Sequence, residues 1–194
     1  MKFEAIKFES VTSTNDIAID LIKKKEKVYG CVIANSQKKG RGTYGKKWVS
    51  KKGNLFISIF FPLEKKYPSF KEFSIINPVI LIETLKDFCD IKKLSIKFPN
   101  DVFYNKKKIC GLLQELITLE HRNFLIIGIG MNIVSNPNIN HRYKATNIYL
   151  ETKKKISIKK IANLIMSSYE NFFKNLKSYN YENFKIKAEE FSLK

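Results

Sequence analysis

Four apolar, β-branched segments follow one another closely in the middle of the chain, and they leave few folds open. They are Leu94–Phe98, Val102–Tyr104, Ile109–Leu116 and Phe124–Ile133. The gaps between them are too short for crossover helices, so hairpins must join consecutive strands. The run therefore predicts an antiparallel sheet as the framework of the molecule.

Three further strands are predicted nearer the N-terminus, at Phe3–Phe8, Tyr29–Ala34 and Asn54–Phe61. Each is short and rich in apolar or β-branched residues, as half-buried or fully buried strands are. Strands grouped together, with helices near both ends of the chain, indicate an α+β fold. At 194 residues the chain fits one domain, which we expect to span residues 1–194.

Helices are predicted where apolar residues recur every three or four positions. The first begins at Ser13-Thr14-Asn15-Asp16, which has the Ser-x-x-Asp form of a helix start. A second begins with the cap-like pair Asn77-Pro78, or alternatively begins earlier and kinks at Pro78. Two more are predicted over Ile158–Leu176 and Tyr181–Phe191.

The chain carries a formal charge of +18, which suggests an acidic partner such as nucleic acid. However, only Arg41, Arg122 and Arg142 are arginines, and all the other basic residues are lysines. Nucleic-acid sites usually favour arginine, whose planar fork pairs with phosphate and guanine. We interpret the lysines as a compositional bias, with a nucleic-acid-binding protein as the less favoured alternative.

The metal-ligating and redox-active residues are few. Cys31, Cys89 and Cys110 are odd in number and widely spaced, which argues against disulfides and zinc and fits a reducing cytoplasm. His121 and His141 are interpreted as ordinary surface or packing residues. The N-terminus lacks the pattern of a signal peptide, and the apolar runs are too short to cross a bilayer. We expect a cytoplasmic protein without a metal site or membrane association.

The glycine spacing Gly40-x-Gly42-x-x-Gly45 matches the dinucleotide-binding fingerprint, but the segment that follows it does not. That fingerprint works by opening a helix, and here a strand follows instead. A Walker loop is excluded because G-K-[ST] is missing. The three glycines and Arg41 instead predict a loop that binds phosphate through backbone amides and a guanidinium. The alternative is a flexible connection between strands.

Two more motifs lie at strand ends. Lys97-Phe98-Pro99-Asn100-Asp101 presents a lysine toward an anionic group, or else is an ordinary Pro-Asn-Asp turn. Gly128-Ile129-Gly130-Met131-Asn132 permits close approach of a ligand to the backbone, or else is a bulged strand end. Asn132 carries an amide suited to an adenine edge.

In order and spacing, these motifs together resemble the catalytic domain of biotin–protein ligase. The resemblance extends over nearly the whole chain and rests on Ser13-Thr14-Asn15, Gln37, Gly40–Trp48, Lys97–Asp101, Lys108-Ile109-x-Gly111 and Gly128–Asn132. It implies a central mixed, mostly antiparallel sheet flanked by helices.

The resemblance also implies the chemistry. Enzymes of this family use Mg²⁺ and join biotin to ATP, which forms biotinyl-5′-AMP. They then transfer biotin to a lysine of a biotin carboxyl carrier protein. It implies catalytic roles for Lys97 and Arg41. The biotin site it implies consists of Ser13, Thr14, Asn15, Gln37, Arg41, Gly42, Thr43, Lys97 and Gly111. The adenylate site it implies consists of Gly40, Arg41, Gly42, Gly45, Trp48, Asn100 and Asn132.

The chain departs from the family pattern at two positions. Thr43 stands where some members have arginine, and Phe98 replaces the usual tryptophan. Neither the N-terminal helix-turn-helix nor the C-terminal β-barrel of many relatives is recognised, so we expect no binding to DNA. Both a monomer and a homodimer fit the family.

The nearest rival is a lipoate–protein ligase or an octanoyltransferase, which share the fold. Octanoyltransferases use a cysteine nucleophile, and none of the three cysteines lies in such a motif.

Overall fold

A computed structural model describes residues 1–137 and 144–193 of the chain. His141 lies outside the described residues. Within these ranges, seven strands form a single sheet: β1 Ala5–Phe8, β2 Gly30–Ala34, β3 Leu55–Pro62, β4 Leu94–Lys97, β5 Asp101–Tyr104, β6 Lys107–Leu119 and β7 Arg122–Met131. Their order across the sheet is β1-β2-β3-β7-β6-β5-β4. β1 is parallel to β2 and every other neighbouring pair is antiparallel, so the predicted mixed, mostly antiparallel sheet is confirmed.

Two-residue turns join the central strands, as the short gaps predicted. Asn105 and Lys106 connect β5 to β6, and Glu120 and His121 connect β6 to β7. All four have positive φ, between 47° and 62°. Two consecutive residues of this kind make the turn twist with the strands, so each hairpin closes tightly. His121 therefore has a role in a turn.

In the described part of the chain, five helices flank the sheet: α1 Thr14–Lys23, α2 Phe70–Leu85, α3 Ile148–Thr152, α4 Ile158–Lys174 and α5 Tyr181–Glu190. The predicted start of the second helix at Asn77 was wrong, and the alternative of an earlier start is correct. Ser69 caps α2 by accepting a hydrogen bond from the backbone N–H of Glu72, whose carboxylate in turn accepts from the N–H of Ser69. Pro78 lies inside the helix. α3 was not predicted.

The helices divide the core into a large and a small part. α2, α4 and α5 pack together on one face of the sheet, and ten residues of α2 are buried on several sides of that helix. α1 covers the other face alone and forms a small core with Ala18, Ile22, Val32, Phe60, Phe124 and Ile126. Since α1 is short, it leaves part of this second face open.

Candidate active site

The cavity on the open face of the sheet lies over the second half of strand β7. Its side chains alternate between the two faces, and Phe124 and Ile126 belong to the small core beneath α1. The next residues on that face are Gly128 and Gly130, which carry no side chain. The small core therefore ends at Ile126, and a cavity of about 430 Å³ lies over the glycines.

Twelve of the fourteen residues predicted for the site line this cavity: Ser13, Thr14, Asn15, Gln37, Arg41, Gly42, Thr43, Trp48, Lys97, Asn100, Gly111 and Asn132. They come from six separate segments of the chain, so the fold brings the predicted motifs together. Gly40 and Gly45 are not among the lining residues. Both belong to the hairpin described below, where their backbone serves to shape the turn.

The N-terminus of α1 forms one wall of the cavity. Ser58 of β3 is fully buried there and donates toward Oγ1 of Thr14 at 2.7 Å and toward Oδ1 of Asn15 at 2.5 Å. The Oε1 of Gln37 accepts from the backbone N–H of Thr14 at 2.8 Å. Ser13 occupies the helix cap but makes no capping hydrogen bond through its side chain. Its hydroxyl therefore lines the cavity without the capping bond that the Ser-x-x-Asp pattern predicted.

Asn15 is fixed from several sides. Its Nδ2 donates to Oε2 of Glu115 at 2.7 Å, while its Oδ1 accepts from Ser58. The side chain lies directly over Gly128, where an added Cβ would come within 2.9 Å of Cγ of Asn15. Gly128 is thus required by close packing against this amide.

The segment Gly40–Trp48 is a hairpin that covers the cavity, and we call it the lid. The N–H of Gly42 donates to the carbonyl of Lys46 at 2.7 Å, and the N–H of Trp48 donates to the carbonyl of Gly40 at 2.9 Å. Its tip is a single 3-10 turn over Thr43–Gly45, in which Tyr44 and Gly45 have positive φ. Cross-hairpin hydrogen bonds therefore order this segment, which the sequence predicted as a loop.

Trp48 seats the end of the lid on the sheet. Its ring covers two glycines that pair across β6 and β7, Gly111 and Gly130. An added Cβ would come within 2.7 Å of the ring at Gly111 and within 2.5 Å of Nε1 at Gly130. Lys108 Nζ lies 5.3 Å from the ring centroid, at cation–π distance. The indole is therefore held between the sheet and a lysine.

Arg41 connects the lid to β6 and α1 through two carboxylates. Its two terminal nitrogens donate to the two oxygens of Glu115 at 2.7 and 2.8 Å. One of them also lies 2.8 Å from Oδ1 of Asp16. The hydrogen bond to Glu115 raises the pKa of Arg41 above its ordinary value, so the guanidinium stays charged. The sequence predicted an arginine directed at phosphate, whereas here both terminal nitrogens contact protein carboxylates.

The motif Lys97–Asp101 spans the turn between β4 and β5, and Lys97 pairs in register with Asp101. Both residues line the cavity. Asn100 donates through Nδ2 to Oγ1 of Thr43 at 3.3 Å and to the carbonyl of Leu112 at 3.2 Å. The turn thus touches the tip of the lid through Thr43.

Asn132 forms the far end of the cavity and is buried. Its Nδ2 donates to the carbonyl of Thr146 at 3.0 Å, and the hydroxyl of Thr146 donates to Glu151 at 2.8 Å. Burial favours a higher pKa for Glu151. Hydrogen bonds from Asn105, Lys107 and Thr146 outweigh it and lower the pKa to about 2. The ionised Glu151 therefore supports the segment that holds Asn132.

Buried polar atoms without a hydrogen-bond partner mark the cavity. Within residues 1–137 and 144–193 they are Nε of Arg41, Nε1 of Trp48, Oδ1 of Asp101 and Oδ1 of Asn132. The Asp101 oxygen lies 2.6 Å from Nζ of Lys108, so it is compensated by charge. All four residues line the same cavity. Because buried polar groups are normally paired, this concentration points to a polar ligand.

Sequence reasoning missed three residues of the site. Ser58 lies in a strand predicted from its apolar residues, and Glu115 lies beyond the motif ending at Gly111. Asp16 was interpreted as part of a helix start. Glu115 could have been found from the alternation of side chains along β6, because it lies on the same face of that strand as Gly111.

Comparison with known proteins identifies the family. Residues 7–132 match the biotin/lipoate A/B protein ligase family, which is more than half of the chain. The chain belongs to this family. The predicted resemblance to biotin–protein ligases is therefore confirmed.

Curated members of the family are similar over part of their length. The bifunctional ligase/repressor BirA of Escherichia coli is 32% identical over 125 residues, 63% of this chain and 38% of that protein. BirA of Bacillus subtilis is 31% identical over 134 residues, 66% of this chain and 40% of that protein. The match thus spans less than half the length of these relatives.

Solved structures of the family are similar over nearly the whole chain. The biotin protein ligase of Aquifex aeolicus in complex with biotin and ATP has a TM-score of 0.81 at 29% identity, covering 98% of this chain and 78% of that one. The ligase of Leishmania major in complex with biotinyl-5-AMP has a TM-score of 0.80 at 28% identity, covering 98% and 81%. The sheet and helices of this family member are therefore those of biotin protein ligases.

Across residues 1–137 and 144–193, no three His, Cys, Asp or Glu side chains cluster as a metal site would require. No helix in the same ranges has the length and apolar character needed to cross a membrane.

Proposed function

We propose that this chain joins biotin to ATP, giving biotinyl-5′-AMP and pyrophosphate, and then transfers biotin to a lysine of a biotin carboxyl carrier protein. The observation that carries the proposal is the cavity, whose buried, unpaired polar atoms lie on residues of the predicted biotin and adenylate motifs. Related structures of the same fold bind biotin with ATP, or biotinyl-5-AMP.

The two ends of the cavity suit the two halves of this product. At the α1 end, Asn15 and Gln37 present amides, and Ser13 and Thr14 present hydroxyls, which suit the polar ureido group of biotin. At the other end, adenine would replace Lys108 on the outer face of the Trp48 ring, and Asn132 presents an amide oxygen that lacks a donor. We therefore assign biotin to the α1 end and the nucleotide to the Trp48 end.

The first reaction requires positive charge. The carboxylate oxygen of biotin attacks the α-phosphorus of ATP, and the bond to the bridging oxygen of pyrophosphate breaks. Both reactants are anions, so cations must offset their repulsion in the transition state. Lys97, at the mouth of the β4–β5 turn, is the proposed catalytic cation, and Lys46, Lys47 and Lys108 also line the cavity. Arg41 contributes its remaining donor, Nε.

The second reaction transfers the acyl group. The amine of the acceptor lysine attacks the carbonyl carbon of biotinyl-5′-AMP and AMP leaves. Lys97 would again stabilise negative charge on the oxygens of the acyl phosphate. The lid covers this mixed anhydride, and excluding water would protect it from hydrolysis.

Magnesium is proposed to enter with ATP as its complex. Mg²⁺ binds substrate phosphates readily and usually keeps several waters, so it needs few protein ligands. Asp101, a carboxylate that lines the cavity, is the proposed protein ligand for Mg²⁺, although Lys108 already neutralises its charge. We also propose that the protein acts in the cytoplasm, as one domain over residues 1–194 and as a monomer or homodimer.

A cysteine-dependent acyltransferase is the alternative that the cavity disfavours. Cys31, Cys89 and Cys110 are all buried, and none lines the cavity. Burial raises the pKa of all three thiols, that of Cys89 to about 11. A nucleophilic cysteine needs the opposite, a lowered pKa and access to substrate.

Exchange of labelled pyrophosphate into ATP tests the proposal, with biotin, lipoate or octanoate as the acid. We expect exchange with biotin only. Lys97→Ala should lower its rate about 100-fold or more, because one electrostatic contact to the transition state is lost. Lys185→Ala, on the surface of α5, removes a remote lysine and should leave the rate unchanged. Equal exchange with lipoate, or none with any acid, would overturn the assignment.

Transfer is tested separately by following biotin onto a purified carrier domain and onto the same domain lacking its acceptor lysine. Only the intact carrier should be labelled. A gel shift at physiological salt addresses the nucleic-acid alternative, because tight, specific DNA binding would support that function instead.

A further inference from the structure

Glu115 of β6 contacts both the lid and the α1 wall of the cavity. Its two oxygens accept from the two terminal nitrogens of Arg41, and Oε2 also accepts from Nδ2 of Asn15. Arg41 lies 74 positions and Asn15 100 positions away in sequence, so β6 is the point at which the two parts meet. Two-oxygen pairing to a guanidinium fixes orientation as well as distance.

Asp16 completes this cluster from α1, with Oδ1 2.8 Å from a terminal nitrogen of Arg41. Two negative charges thus face one positive charge. Arg41 and Asp16 are about one-third exposed and Glu115 is less so, which places the cluster at the edge of the cavity, partly shielded from water. Ion pairs in such positions hold geometry better than fully exposed pairs do.

The lid has few other side-chain anchors. Besides Arg41, it is held by the ring of Trp48, which lies on Gly111 and Gly130 with Lys108 at cation–π distance. Two hydrogen bonds, both long at 3.3 Å, add to this: Asn100 donates to Thr43, and Ser50 donates to the carbonyl of Trp48. Tyr44 at its tip is 92% exposed. The hairpin's own hydrogen bonds give it shape but do not attach it to the sheet.

We propose that Glu115 and Asp16 are positioning residues that hold Arg41 and thereby seat the lid over the cavity. The role of Arg41 is then mainly to attach the lid, while lysines neutralise the phosphates. This proposal goes beyond the proposed function in assigning Glu115 and Asp16, and its meaning for catalysis rests on that function. Its test needs neither biotin nor ATP, so the two can fail independently.

Trp48 is the only tryptophan of the chain and lies in the lid, so its fluorescence reports lid seating directly. Glu115→Gln keeps the shape of the side chain but removes the charge that pairs with Arg41. We expect emission to shift to longer wavelength and the acrylamide quenching constant to rise about twofold or more, because a lid without its charged anchor opens more often. Asp16→Asn should show a smaller change in the same direction.

Two controls separate seating from general damage. Glu120→Gln removes an exposed carboxylate of the β6–β7 turn that pairs with Lys25, and it should leave quenching unchanged. Glu115→Asp keeps the charge on a shorter side chain and should recover part of the protection. Far-UV circular dichroism and thermal unfolding establish that each variant is folded.

A double-mutant cycle with Arg41→Gln tests whether Glu115 acts through Arg41. If it does, the double variant should be quenched no more than Arg41→Gln alone. Additive effects would mean that Glu115 acts through Asn15, and would overturn the proposal. Quenching of Glu115→Gln equal to that of the unaltered chain would overturn it as well. If Glu115→Gln fails to fold, the cycle of Arg41→Gln and Asp16→Asn tests instead whether Asp16 acts through Arg41.

Discussion

Two glycines of β7, two positions apart, allow the acid-binding and nucleotide-binding halves of the cavity to be perturbed one at a time. Gly128 lies under Asn15 and Gly130 lies under Trp48. Neither has a positive φ, so alanine fits the backbone at both positions. We predict that Gly128→Ala raises KM for biotin, whereas Gly130→Ala raises KM for ATP.

The effect at Gly128 follows from the hydrogen bonds of Asn15. A Cβ at Gly128 would lie 2.9 Å from Cγ of Asn15, so the amide must move away. That movement breaks its bond to Ser58 at 2.5 Å and its bond to the carboxylate of Glu115 at 2.7 Å. A neutral bond is worth about 0.5–1.5 kcal/mol and a charged one about 1.5–3 kcal/mol. Together they amount to about 2–4.5 kcal/mol, and if biotin must restore this geometry when it binds, KM for biotin rises roughly 30- to 2000-fold.

The effect at Gly130 follows from displacement of the indole. A Cβ there would lie 2.5 Å from Nε1 of Trp48, whereas ordinary contacts begin near 3.4 Å. The ring must therefore rise by about 1 Å and lose its stacking geometry. Stacking of a base on an aromatic side chain is worth about 1–3 kcal/mol, so KM for ATP should rise roughly 5- to 150-fold.

The assay is pyrophosphate exchange with each substrate varied in turn at saturating concentration of the other. Gly30→Ala serves as a matched control, because its Cβ would come within 3.0 Å of Phe60 in the small core. It should lower stability but leave both KM values unchanged. If Gly128→Ala and Gly130→Ala raise the same KM equally, the division of the cavity into two halves is wrong.

Three further predictions concern the fold around the site. The pKa of Glu151, lowered from 4.5 to about 2, means that its contacts stabilise the folded chain above pH 4.5 and cease to do so as pH falls toward 2. Glu151→Gln should flatten the acid side of a plot of Tm against pH. Asn77→Ala leaves the buried hydroxyl of Tyr169 without its acceptor at 2.9 Å and should lower the free energy of unfolding in urea by about 1–3 kcal/mol. Adding Tyr169→Phe should recover part of that loss. A thiol reagent at pH 8 should modify the buried Cys31 and Cys110 only after unfolding, and modification of the native chain would contradict their burial.

The sheet could be predicted because its signals are local. Strand boundaries inferred from apolar runs lie within about three residues of those observed, and the short gaps between the runs predicted the hairpins. α2 was misread for a physical reason. It is buried on several sides and shows little amphipathic period, so the pair Asn77-Pro78 predicts its start too late. The capping pair Ser69 and Glu72, eight and five residues before Asn77, was the better signal.

The candidate site could be predicted where its residues form motifs, and not where the fold creates contacts. Gln37 and Trp48 fall in recognisable strings, and both line the cavity. Ser58 carries no such mark, because it is one hydroxyl in an apolar strand and meets Asn15 only across the sheet. The lid is a similar case. Its glycines indicated freedom, while the hydrogen bonds between Gly40 and Trp48 that order it depend on the register of a hairpin.

The pairing of Glu115 with Arg41 shows how much could have been inferred once the alternation of side chains along β6 is considered. Once β6 is aligned with β7, Gly111 faces Gly130 and Glu115 faces Ile126, so all four share the face that carries the cavity. A carboxylate on that face, beside the small core, requires a cation, because an unpaired charge there would be costly. Only three arginines exist in the sequence, and Arg41 alone lies in a predicted site motif. The pairing of Glu115 with Arg41 thus follows from register, burial and composition together, although no single one of them determines it.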